Sequence, residues 1–139
     1  MDQTVIFVLA AVIIIGAAVL ALIGFAQKGA KRLDVERYRS DWLGIENRIS
    51  KDDTGSYSLA VLNADKLVDK ALKERGTRGG TMGERMKSAH ATFSNNNAIW
   101  SAHKLRNRIV HESDAVVSYD EARRALHAFK QALKDLGAI

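Results

Sequence analysis

The chain has 139 residues, with 21 Lys or Arg against 16 Asp or Glu, a net charge of +5, no cysteine and no proline. That length holds one small domain with at most an appendage, and the lack of cysteine excludes disulfides and thiolate chemistry. Ala, Leu, Lys, Arg and Glu recur throughout and no stretch alternates apolar with polar residues for any length, so an all-α protein is expected.

The first element is a membrane helix. Thr4 to Ala26 runs without a charge, and at about 1.5 Å per residue such a run crosses a hydrocarbon core of roughly 30 Å. A cleaved signal peptide would open on a basic stretch and carry a shorter apolar run. Met1-Asp2-Gln3 stands at that place, so a retained transmembrane anchor over residues 1–28 is expected, followed by a helical bundle over 29–139. Gly16 and Gly24 are spaced too widely for the usual helix-pairing motif and read as lipid-facing filler. Lys28, Lys31, Arg32, Arg37 and Arg39 all follow the span, which by the positive-inside rule predicts a single-pass protein of the cell membrane with its C-terminal domain in the cytoplasm. All 21 basic residues but only 15 of the 16 acids lie beyond the span, so the bundle carries +6, a surface suited to anionic lipid and RNA.

Four or five helices follow. Gly29 breaks continuity with the span. Lys31 to Ile49 places Leu33, Tyr38, Trp42, Ile45 and Ile49 on one amphipathic stripe, and residues 50–56 read as a loop. Tyr57 to Arg75 repeats Tyr57, Val61, Ala64, Val68 and Ala71 on a second core stripe broadened by Leu62 and Leu72, with Gly76 at the helix end. Asp65, Lys66, Asp69, Lys70, Lys73 and Glu74 mix signs at helical spacing and read as its solvated face.

Residues 76–80 (GTRGG) form a glycine-rich loop, and Thr81-Met82-Gly83-Glu84 is a capping box opening a short helix to about Phe93. Lys73, Arg75, Arg78, Arg85 and Lys87 surround that loop and are the candidate RNA- or phosphate-binding cations. No Gly-Lys-Ser/Thr follows at P-loop spacing, so a flexible basic loop is the preferred reading, a peripheral RNA contact comes second and a nucleotide pocket last.

After the turn at Ser94-Asn95-Asn96-Asn97, a helix from about Ala98 to Glu112 buries Ala98, Ala102, Leu105 and Ile109, flanked by Ile99 and Trp100. It carries Leu105-Arg106-Asn107-Arg108-Ile109-Val110-His111-Glu112, the densest concentration of reactive side chains in the chain. An arginine offers a fixed positive fork and a histidine titrates near neutrality. At roughly 100° per residue, His103, Asn107 and His111 share one ridge while Arg106 lies about 140° from His111. The two therefore meet only if the arginine reaches round, the helix frays, or a second subunit supplies one of them. His103 and His111 have no carboxylate near them on that ridge, so neither a metal site nor any cofactor is expected. Ser118-Tyr119-Asp120-Glu121 is a second capping box. It opens a last helix that buries Ala122, Ala125, Leu126, Phe129, Leu133 and Leu136 and ends at Gly137, with His127 packed at the edge of that face.

The Arg106-Asn107 pair followed after a short gap by His111, near the end of the penultimate long helix, resembles the signature of the HEPN superfamily. The resemblance covers roughly residues 31–139. It implies a four- to five-helix HEPN-like bundle and, in catalytic members, a metal-independent endoribonuclease whose two domains pair so that both motifs face one cleft. Carried over, Arg106 holds the phosphate, Asn107 orients the scissile group, and His111 is general acid or base at the ribose 2′-hydroxyl or the leaving oxygen, giving a 2′,3′-cyclic phosphate and a 5′-hydroxyl. The expected partners are the membrane, RNA and a second copy of the chain. Many HEPN toxins carry a tyrosine two residues after the histidine; Ser113 stands there, so control by tyrosine adenylylation is not implied. A bland reading stays open, in which these cations only complement a helix dipole and pair with Glu112 or Asp114. The domain is then a non-catalytic, membrane-tethered scaffold for RNA, a nucleotide or a protein partner.

Overall fold

The computed structural model describes residues 2–27 and 31–139. Its described residues form six α-helices and no strand: α1 (Gln3–Gln27), α2 (Val35–Glu46), α3 (Thr54–Glu74), α4 (Met82–Ser88), α5 (Asn96–His111) and α6 (Tyr119–Asp135). The chain divides into two compact units, Met1–Lys31 and Arg32–Ile139.

The first unit is α1. Its window Gln3–Leu22 has a mean hydropathy of 3.2 and no residue buried in the protein, so one N-terminal helix is long and apolar enough to cross a membrane. An α-helix satisfies its backbone donors and acceptors internally, and its sheath of aliphatic side chains has no polar face to offer water. The break expected at Gly29 lies outside the described residues.

In the second unit the helix boundaries follow local caps. Helix α2 begins later than the apolar stripe suggests because the Asp34 carboxylate accepts from the Arg37 amide at 3.2 Å and fixes the N-terminus there. Leu33 and Ile49 therefore flank the helix as partly buried residues packed against the core. Helix α3 begins earlier than expected, at Thr54, with Asp53 accepting from the Gly55 amide. Its end is a Schellman motif in which Thr77 N–H bonds to Leu72 O and Gly76 adopts φ +81°. The last helix ends the same way, with Ala138 N–H on Leu133 O and Gly137 at φ +73°.

Both capping boxes form, Thr81 with Glu84 and Ser118 with Glu121. Helix α4 stops at Ser88 rather than near Phe93, because His90 and Thr92 bond to carbonyls only three residues back and the chain turns. Phe93 is still buried.

Helix α3 is the central element, packing against α2, α4, α5 and α6, while α5 and α6 also pack on each other. The core centres on Tyr38, Val61, Val68, Leu72, Met86, Ile99, Phe129 and Leu133, all essentially without solvent exposure. Polar ties reinforce it: Tyr38 O–H and Arg37 both donate to Glu74, linking α2 to the end of α3, and Lys130 on α6 pairs with Glu46 on α2.

Candidate functional site

The site is built where α5 crosses α3. Asp65 is only 3% exposed and is engaged at both oxygens, one hydrogen-bonded to His103 Nδ1 at 2.7 Å and the other in an ion pair with Arg106 Nε at 3.3 Å. The expectation that Asp65 belongs to a solvated face is overturned. At about 100° per residue it lies some 40° from Val61, beside Leu72 and inside the core stripe of α3. On α5 the same arithmetic sets Arg106 between Ala102 and Ile99, with His103 on the other flank of Ile99, so that face turns all of these toward α3. An ionised carboxylate only accepts, so the proton at the His103 bond sits on Nδ1 and leaves Nε2 as the ring's other nitrogen. The Trp100 ring stands edge-on to His103, with centroids 6.2 Å apart. Gly83 of α4 lies over Trp100, where a Cβ would meet the ring at 3.7 Å.

Arg106 also donates through Nη1 to Asn107 Oδ1 at 3.0 Å. Arg106 and Asn107 are therefore brought together. His111 is not joined to them: α5 runs unbroken to His111, which leaves it exposed at the helix end without a hydrogen bond or ion pair among the described residues. Unbroken helix removes fraying as a way of bringing Arg106 and His111 together within one chain. Arg108 faces away and pairs with Glu121 of α6 at 2.9 Å. The Glu121 carboxyl is held below its usual range, first by the Ser118 backbone N–H and then by Arg108.

The five cations around the glycine-rich loop do not form one open surface. Arg85 is buried, with Nε and Nη2 on Asp69 Oδ1 at 2.8 and 2.7 Å and Nη1 on Gly79 O at 2.7 Å. Lys73 takes the other Asp69 oxygen at 2.9 Å, and Arg75 donates to Leu136 O at 2.7 Å. Burial raises the Asp69 pKa, but Arg85 and Lys73 together outweigh it and hold it below its ordinary value. Arg78 and Lys87 are exposed. The loop amides are also occupied, since the Gly80 and Thr81 N–H groups point at Glu84 Oε2 at 2.6 and 3.4 Å. A carboxylate of the protein thus fills the place a phosphate would take. Gly79 is required here: φ is +145°, and a Cβ would lie 2.6 Å from the Arg85 amide nitrogen.

His127 is exposed, not packed at the edge of the α6 core face. It lines three surface grooves beside α6. Comparison with known proteins finds no family model, no curated protein and no solved structure that matches this chain.

Proposed function

We propose that this chain is a single-pass membrane-anchored protein whose C-terminal unit is a HEPN-like, non-catalytic module held at the cytoplasmic face, binding a protein partner and not a phosphate through Arg106. The observation that carries the reading is the buried Asp65 carboxylate. It ties His103 and Arg106 into the α3–α5 contact, and an arginine already facing a carboxylate has little attraction left for a phosphate. Support for the HEPN-like assignment is the helix order, with the Arg106-Asn107 motif near the end of the penultimate helix. The cations clustered after the apolar span support the cytoplasmic placement.

A second reading keeps the chemistry. In a homodimer, His111 of one protomer and Arg106 of its partner would face one cleft and cleave RNA without a metal. The observation that favours it is the apolar surface near His111, where Val110 is 50% and Val116 81% exposed; such side chains suit a two-fold contact.

The test of the binding-module reading combines topology with ligand linkage. Protease added to sealed, right-side-out vesicles should leave the C-terminal unit intact. In detergent, 5′-AMP or a short RNA should leave the urea midpoint of the full chain where it was, because a ligand stabilises only the state it binds. A midpoint raised by either probe in the wild type, and unmoved in Arg106→Met, would assign Arg106 to a phosphate and overturn the reading.

A further inference from the structure

Helices α5 and α6 leave an open groove of about 880 Å³ between them. Its floor is aliphatic and mostly small: Ala98, Ala102 and Leu105 from α5, with Ala125 and Ala128 from α6. Its rim carries Lys104, Arg108, Arg123 and Arg124, against which the one lining carboxylate is Glu121. Glu121 already accepts from Arg108 and from the Ser118 amide, so three rim cations have no acidic counterpart in the groove. From Ala98 to Arg108 the groove follows α5 for about 15 Å, close to three helical turns.

From this we infer that the α5/α6 groove is the docking site for an amphipathic helix of a protein partner. That helix lays its apolar stripe on the alanine floor and sets acidic residues against Lys104, Arg123 and Arg124. The inference rests on the binding-module reading and supplies its partner. Small floor residues let a third helix approach closely, as alanine does wherever helices pack tightly. Apolar anchors at i, i+3, i+4 and i+7 are the usual way a helix occupies such a channel. The ring of cations adds steering and selects against basic sequences.

Two other occupants fit less well. Single-stranded RNA binds through several aromatic platforms beneath successive bases, and no Phe, Tyr or Trp lines this groove, whose single ring is the imidazole of His127. A second copy docked symmetrically would set the same cations against one another.

The experiment uses the full chain in nanodiscs of zwitterionic lipid, with empty discs as the control. The probe is a fluorescently labelled synthetic helix of three to four turns, with leucines at i, i+3, i+4 and i+7 and glutamates on both flanks. Saturable binding is expected, weakened by added salt and at least tenfold weaker in the double variant Arg123→Glu, Arg124→Glu. Both residues are exposed, so the fold should tolerate the change. Ser101→Trp, which fills the groove from an exposed position, should block binding without altering charge, whereas Arg78→Glu with Lys87→Glu should leave it unchanged.

Equal binding of a composition-matched peptide with scrambled periodicity overturns the proposal, as does the absence of binding. So does oligouridylate displacing the probe with the same variant sensitivity, which would make the groove a nucleic-acid interface. A halved particle mass in Ser101→Trp would make it a self-association face, and that too refutes the proposal. RNA cleavage by the same preparation would defeat the binding-module reading, whatever the peptide does.

Discussion

Replacing Asp65 by alanine is the sharpest perturbation of the α3–α5 contact. The His103 bond at 2.7 Å is nearly out of solvent, with side-chain exposures of 11% and 5% for the two partners. A hydrogen bond to a charged group contributes about 1.5–3 kcal/mol. The Arg106 contact adds less, because its side chain is 35% exposed and reaches water once released, so a surface-like value of about 0–1 kcal/mol applies. Asp65→Ala should therefore destabilise the bundle by about 1.5–4 kcal/mol. The assay is urea unfolding of the full chain in detergent, read by tryptophan emission, since the two tryptophans, Trp42 and Trp100, both lie in the bundle unit. A double-mutant cycle with His103→Ala removes the cavity and packing contributions common to both backgrounds, and should leave a coupling of about 1.5–3 kcal/mol. A loss below about 0.5 kcal/mol, the range of ordinary surface substitutions, or a coupling of zero, would refute Asp65 as the fastener of α5.

Asp69 predicts an acid-side loss. Its folded pKa lies below the ordinary 3.8, so its contribution is fully present above that value and disappears as pH falls through the folded one. The difference in urea midpoint between wild type and Asp69→Asn should accordingly shrink from neutrality into acid, and a difference independent of pH would contradict the Arg85 and Lys73 pairing. Gly79→Ala should cost at least about 1–3 kcal/mol, because it forces a side chain into a glycine-only conformation and against the Arg85 backbone. Hydrogen exchange should then show α4 opening first; unchanged protection there would argue against the Arg85 clasp. Ser118→Ala removes the N-cap of α6 and should cost about 0.5–2 kcal/mol, with Ser118→Asp close to wild type in the same urea assay.

Local signals were readable in the sequence. Thr81 and Glu84, and Ser118 and Glu121, close their boxes because a capping box needs only residues three apart. The apolar stripes of α3 and α6 name most of the buried residues for the same reason, one helix face being one core surface. Boundaries moved where a nearby carboxylate took over, as Asp34 did for α2. The site was legible only in part. Arg106 and Asn107 were marked by their chemistry, yet the residue that organises them, Asp65, lies 38 positions from His103 and in a different helix. Its signal was its place within the Val61–Leu72 stripe, hidden by neighbours of mixed charge. Arg85 is the complementary case: clustering along the chain says nothing of which cation turns inward toward Asp69 and the Gly79 carbonyl. Helical periodicity sets His127 at the edge of the α6 core face, but that edge borders an open groove and the ring is exposed.

The most direct test is the fate of RNA itself. The full chain, purified in detergent, is incubated with mixed cellular RNA in EDTA, alongside His111→Ala, and the product ends are examined for 2′,3′-cyclic phosphate. The binding-module account predicts intact RNA with both proteins, each still folded by tryptophan emission. Scission by the wild type that falls by about 10²- to 10⁴-fold in His111→Ala, the size of a general acid–base contribution, would contradict it and restore His111 as a catalytic residue.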